Sequence, residues 1–287
     1  MERLKPPTTY AEQIQKLKDR GCVIQDDAAC ERILRQINYY RLTAYILPFR
    51  LSDGTYQKGT TIERVYRIYE FDRKLRSLIL SVIEEIELYL RTQLSYCHAH
   101  TYGAIGYMDP ENFNEAHDSE KFTALWQKAV EDNESALFVK HHQKKYDGVF
   151  PIWVLIELFS FGMLSHFYGD LKRADRRTIA NKCFGVQEKE MLSWLRCCTD
   201  LRNICAHYGR LYFRIFSAVP ANSSKETHQM DRRLFSNVLM LKHLYQDVDK
   251  WNTSFMVALS ALIDEYSADI CLSHIGFPED WETILMK

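Results

Sequence analysis

The chain has 287 residues, 46% of them hydrophobic and 26% charged, a composition that supports a buried core and excludes a disordered polymer. Its 37 Lys and Arg against 38 Asp and Glu leave a net charge of −1, so no global field draws it to nucleic acid, and any RNA binding must use local stripes of Arg and Lys. Eight cysteines without a C-x-x-C pair exclude a zinc ribbon and fit a cytoplasmic protein with reduced thiols.

Only 11 Gly and 7 Pro punctuate the chain, which favours helices over a many-turned β fold. The 17 Tyr and 15 Phe are mainly core material, with some available to stack on bases. The polar, proline-containing start is not expected to be a signal peptide, and the longest apolar stretches, such as 152–161 with Glu157 inside it, are too short for a membrane span.

In chain order, Thr9-Tyr10-Ala11-Glu12 reads as a capping box and Gly21 as a stop, predicting a helix near 9–20. A second helix is expected near 27–40, then a turn or short hairpin at Ser52-Asp53-Gly54-Thr55. Thr60-x-x-Glu63 is a further capping box, opening a periodic stretch that meets no breaker before Gly103. Loop composition dominates 103–117, a helical pattern covers 119–145, and Pro151 stands where a first-turn proline belongs, with shorter helices over 151–184. A second long helix is expected over 187–216, a loop at Asn222-Ser223-Ser224, and two helices near 230–248 and 252–267. The sum is an all-α bundle with long antiparallel helices: a small N-terminal helical lobe at 1–60, then one helical domain at 61–287.

At roughly 100° per residue, a wheel of the 187–216 helix separates an apolar face from a stripe holding Arg196, Asn203, His207, Arg210 and Arg214, with Arg202 at its edge. Most such stripes are solvated surface. This one carries cations, an amide and a His but no acid, whereas a face built for solubility mixes signs along i,i+4 pairs. The set suits RNA cleavage, where the substrate supplies the 2′-OH nucleophile. Imidazole moves protons near neutrality, and a guanidinium stabilises the charge of a phosphorane-like transition state with fixed donors. That scheme calls for no metal or cofactor.

The segment Arg202-Asn203-Ile204-Cys205-Ala206-His207 resembles the R-x4–6-H signature of HEPN ribonucleases. Its flanks, Ser193-Trp194-Leu195 and Tyr208-Gly209-Arg210-Leu211, are similar to the Abi-like abortive-infection family of phage-defence proteins. So are Tyr39-Tyr40-Arg41-Leu42, Phe71-Asp72-Arg73-x-Leu75-Arg76, Pro151-Ile152-Trp153 and Glu157-Leu158-Phe159-Ser160-Phe161-Gly162. The resemblance implies a HEPN-like helical fold with Arg202, Asn203 and His207 as catalytic residues, and a toxin-like endoribonuclease; some relatives are held in check by an RNA or protein partner, which makes such an inhibitor a possible partner here. HEPN relatives often act as homodimers that share a site, and the same is expected here.

Arg196, Arg210 and Arg214 would grip flanking RNA phosphates. Arg91 and His98 also fit R-x6-H and form a possible second half-site, with Glu84 or Glu87 as a supporting acid, although a plain Glu87–Arg91 pair is the simpler reading. Lys172, Arg173, Arg176 and Arg177 either track phosphates or form a solvated face. Cys97-His98-x-His100 and His141-His142 lack a second ligand pair for a metal, and Cys205 falls on the apolar face. The alternative to an enzyme is a non-catalytic RNA-binding or antitoxin-like module using the same groove; an intact Arg and His together favour the enzyme.

Overall fold

The computed structural model describes residues 6–286; the first five residues of the expected lobe and Lys287 lie outside the described residues. Helix α1 (Tyr10–Asp19) has the expected capping box, with Glu12 N–H donating to the Thr9 hydroxyl at 3.3 Å and Thr9 N–H to the Glu12 carboxylate at 2.7 Å. The predicted 27–40 helix is two helices, α2 (Asp27–Gln36) and α3 (Tyr39–Thr43). Ile37 between them is extended and buried, and the Asn38 side chain restarts the helix by accepting Tyr40 N–H at 2.8 Å. The turn at 52–55 closes a small hairpin through Leu51 N–H to Thr55 O at 2.8 Å.

Helix α4 (Ile62–Tyr102) runs for 41 residues, about 60 Å, and ends where Gly103 takes φ +85°. Its cap is Thr61, not Thr60: the Thr61 hydroxyl accepts Arg64 N–H at 3.1 Å, while the Thr60 hydroxyl donates to Gln57 O at 2.7 Å. The 119–145 pattern is broken into α5 (Ser119–Asp132) and α6 (Leu137–Lys145), Asn133 bonding back to Ala129 O at 2.8 Å. Pro151 sits one residue outside the helix it precedes, α7 (Ile152–Leu155). Then follow α8 (Phe161–Asp170), α9 (Arg173–Thr178) with a π turn over Ile179–Cys183, and α10 (Glu188–Ala206). The chain closes with α11 (Leu234–Leu244), α12 (Val248–Lys250), which passes through a π segment into α13 (Val257–Glu265), and α14 (Trp281–Leu285). Among the described residues, β structure amounts to three isolated bridges, so the fold is all-α.

Helix α4 is the axis, its buried residues spread from Ile62 to His98, and α7, α8, α10, α11 and α13 pack on it. Helix α10 runs antiparallel to it. Tyr89 on α4 bonds Cys183 O at 2.9 Å just before α10 begins, whereas Asp72, five turns earlier on α4, meets residues 211 and 212 just after α10 ends. The N-terminal residues join the same core: Val23 exchanges backbone bonds with Thr60 and Ile62 at 2.8 and 3.1 Å, and Leu42, Tyr45 and Ile46 are buried. No helix among the described residues is long and apolar enough to cross a membrane.

At the far end of α4, His98 is 3% exposed between the rings of Tyr102, Phe113 and Phe167, with centroids 5.0, 5.5 and 5.3 Å away; among the described residues neither ring nitrogen makes a well-formed hydrogen bond, the Gly106 backbone being the polar group that acts on it. Burial pushes its pKa down to about 4 from 6.5. As pH falls through that window the unfolded chain takes up the proton and the folded chain does not, so stability is full above about pH 6.5 and declines toward pH 4, by roughly 2–3 kcal/mol from this group. His98→Phe keeps the ring packing and removes the titration. Urea midpoints of the variant should vary less between these pH values than those of the wild type; parallel curves would refute the assignment.

Candidate active site

Helix α10 starts with a Gln187–Glu190 capping box and buries Met191, Trp194, Leu195, Cys198, Leu201 and Cys205. The opposite face carries Arg196 and Asn203, both exposed, and Arg202 lies at the boundary between the two faces, half-buried. The expected helix over 187–216 ends ten residues early. His207 is the C-cap, Tyr208 turns left-handed at φ +59°, Tyr208 N–H bonds Cys205 O at 3.1 Å and Gly209 N–H bonds Ile204 O at 2.7 Å. Those two bonds make a Schellman ending, in which the left-handed position is usually glycine. A tyrosine there costs about 1–2 kcal/mol. Glycine is instead required one residue later, because a Cβ on Gly209 would lie 2.9 Å from Ile204 Cγ2 and 3.0 Å from Ile204 O. Phe213 is left-handed as well, at φ +58°.

The turn is held by a buried carboxylate on α4. Asp72, fully buried, accepts the N–H of Leu211 at 3.0 Å and of Tyr212 at 2.6 Å on Oδ1, and the Tyr45 hydroxyl at 2.7 Å on Oδ2, where it also pairs with Arg76. Burial pushes the Asp72 carboxyl up, against the opposing pull of Arg76, Tyr45 and the two backbone donors, each of which favours the anion. Arg76 also donates to Gly209 O at 3.3 Å, and Arg41 on α3 to Tyr208 O at 2.6 Å.

Two adjoining cavities open around this turn. One, about 500 Å³, is lined by Asn38, Arg41, Arg73, Arg76 and Tyr208 among others. Its neighbour, about 380 Å³, is lined by Asn38, Tyr40, Arg41, His207, Tyr208 and Arg210 among others. His207 is exposed at the edge of the second. Arg202 and Asn203 lie on the last turn and a half of α10 before it, outside the lining of either cavity. Arg41, Asp72 and Arg76 were not among the residues the sequence picked out for chemistry; their only signal was that they stand in two of the family-like segments.

Arg210 and Arg214 leave the predicted stripe because the helix stops before them. The Arg210 guanidinium lines the second cavity but is tied to Ala44 O, and burial pulls its pKa below the usual arginine value. Arg214 lies over the Phe216 ring at 5.8 Å with its Nε buried. The second half-site does not complete the cleft. Arg91 pairs with Glu87 at 2.6 Å and with Phe159 O at 2.7 Å, Glu84 is exposed, and His98 lies 22 residues along α4 from Arg76, about 33 Å away. Arg173 and Arg176 meet Glu188 at 3.4 and 2.9 Å, which dilutes the basic cluster they belong to. Cys205 is buried, and its thiol is pushed up to about 12 by that burial, the state of a packing residue. Among the described residues no group of three or more His, Cys, Asp or Glu is arranged to hold a metal ion.

Asp72→Asn would leave Arg76 a buried charge and set an amide N–H₂ or a poorer acceptor against four donors. It should cost about 3–5 kcal/mol in chemical denaturation. Tyr45→Phe, which removes one bond to the carboxylate, should cost about 1.5–3 kcal/mol. A loss under about 1 kcal/mol for Asp72→Asn would show that the turn is held by something else.

Comparison with curated proteins and with solved structures returns no match. The family model described as Abi-like protein matches residues 32–213, a span that contains the carboxylate anchor, the lining of both cavities and Arg202, Asn203 and His207. With well over half of its length matched, the chain belongs to the Abi-like protein family.

Proposed function

We propose that this protein is a metal-independent endoribonuclease that acts as a toxin in abortive infection, with its active site at the C-terminal end of α10. The observation that carries this reading is the placement of His207. It caps the helix bearing Arg202 and Asn203, in R-x4-H spacing, and opens onto a cavity walled by Arg41 and Arg210. In the reaction the substrate's 2′-oxygen attacks phosphorus and the bond to the 5′-oxygen breaks. One proton leaves the 2′-OH and one reaches the 5′-oxygen, leaving a 2′,3′-cyclic phosphate and a 5′-hydroxyl. His207 carries one of these protons, Arg202 binds the non-bridging oxygens and Asn203 orients the pair. Arg196, exposed further back on α10, meets a flanking phosphate, and Arg41 takes the gripping role that the sequence pattern gave to Arg210 and Arg214.

Family membership supports the defence role, and an RNA or protein partner would restrain a toxin of this kind between infections. One chain offers one His and one Arg of the motif. Two copies with their α10 ends facing across a two-fold axis supply a separate group for the attacking and the leaving oxygen.

His207→Ala and Arg202→Ala should each reduce RNA cleavage by at least about 10²-fold, with melting temperatures near that of the wild type because neither side chain is in the core. Cleavage should survive EDTA and yield 2′,3′-cyclic ends; loss with EDTA and recovery with a divalent metal would overturn the mechanism. Expression of the intact chain should slow bacterial growth and the His207→Ala chain should not. Light-scattering mass under assay conditions tests the shared site, since full activity from a species that stays monomeric with RNA bound rules it out.

A further inference from the structure

Beside His207 stand two tyrosines with little to hold them. Tyr40, the second residue of α3, is 85% exposed, and Tyr208 is 69% exposed. Both line the cavity that contains His207, and Tyr208 also lines the larger one. Neither ring packs against another aromatic ring among the described residues. Tyr208 moreover occupies a left-handed position where glycine would be less strained, so its side chain is kept there at a conformational cost with no return from packing. Strain of this kind gathers at sites that bind something.

Arg41 lies between the two cavities, a wall of both, its guanidinium fixed to Tyr208 O. It has no carboxylate partner among the described residues, unlike Arg73 and Arg76, which meet Glu70 and Asp72. The second cavity thus brings two exposed aromatic rings, a cation and a histidine into one lining, and both hollows are within the range of small-ligand pockets. Base faces stack on tyrosine whatever the base, and a fixed guanidinium suits the phosphate between them.

We propose that Tyr40 and Tyr208, with Arg41 between them, form a stacking clamp for two successive nucleotides of single-stranded RNA, which holds the intervening phosphate at His207. This rests on the ribonuclease reading and adds the form of the substrate. The bases must be unpaired, because a duplex keeps them stacked on each other and away from the tyrosines.

The test uses the full-length His207→Ala protein and a short single-stranded oligonucleotide with 2′-O-methyl riboses, which cannot be cleaved. Tyr40→Ala and Tyr208→Ala should each weaken binding about tenfold or more, with an unchanged dependence on salt, since no phosphate contact is lost. Tyr40→Phe and Tyr208→Phe should bind like the parent. Arg41→Gln should weaken binding and reduce the logarithmic salt slope by about 0.7. Tyrosine-to-alanine variants that bind within about twofold of the parent, or a duplex of the same sequence that binds as well as the single strand, would overturn the clamp. If wild-type protein still cleaves RNA in that case, the ribonuclease reading stands alone. If it neither cleaves nor binds RNA, both fall.

Discussion

A carboxylate with no access to water is tolerable only if its lone pairs are met, and Asp72 has a guanidinium, a phenol and two backbone N–H groups around it. The four partners come from three parts of the chain: Tyr45 follows α3, Arg76 is one turn on along α4, and Leu211 and Tyr212 follow α10. Satisfying one buried charge therefore fixes three segments relative to one another. The candidate site hangs on that fixation, because His207 and Tyr208 lie in the same turn as the two backbone donors, and Arg41 reaches Tyr208 O from α3. The energy also has a local use. Two non-glycine residues in left-handed conformation, Tyr208 and Phe213, bracket the anchored positions, and the carboxylate bonds offset their strain.

The early end of α10 changes what His207 is. In the middle of a helix its imidazole would be one of a row on a cylinder, sharing its surroundings with Arg210 and Arg214. As the C-cap it stands at a corner where the backbone turns toward α3, and the next side chain along projects over a cavity. The last carbonyls of the helix are meanwhile occupied: His207, Tyr208 and Gly209 donate to the oxygens of Asn203, Cys205 and Ile204. Helix termination and site construction are the same set of bonds.

How much of this was legible in the sequence depends on the range of the interaction involved. The Thr9–Glu12 box, the stop at Gly103 and the 41-residue α4 follow from neighbours within one turn, and residue patterns report those directly. The break at Ile37 was missed because Asn38 reads equally well as a helix interior or as a cap. The end of α10 was missed for a related reason: apolar and polar residues continue with helical period to Ile215, and only Gly209 marks the turn that the Asp72 bonds enforce. Arg202, Asn203 and His207 stood out because they fall within six consecutive residues in R-x4-H spacing. Asp72, Arg76 and Arg41 are separated from the turn they hold by over a hundred residues, and no local period carries that pairing. At Arg91 and His98 the simpler reading, a Glu87–Arg91 pair, is the one observed, whereas spacing along a helix does not reveal that His98 is enclosed by rings.

The residues beyond the family match supply the outer support of the same turn. Tyr212, whose N–H is bound by Asp72, uses its hydroxyl to meet His274 Nδ1 at 2.8 Å and Cys271 N–H at 2.9 Å. Trp194 on α10 donates to Ala221 O at 2.8 Å, and Arg64 and Arg67 on α4 hold Asp269. The turn is thus clamped from inside by α4 and from outside by the segment between α13 and α14, while its third side, toward α3, is left open as the two cavities. That asymmetry also concentrates cations on one side of a chain whose net charge is −1. Arg41, Arg73, Arg76 and Arg210 converge on the open side, and the nearby acids, Asp72 and Glu70, pair with only two of them. The remaining charge is local to the cleft, and its field is screened within about a Debye length over the rest of the surface.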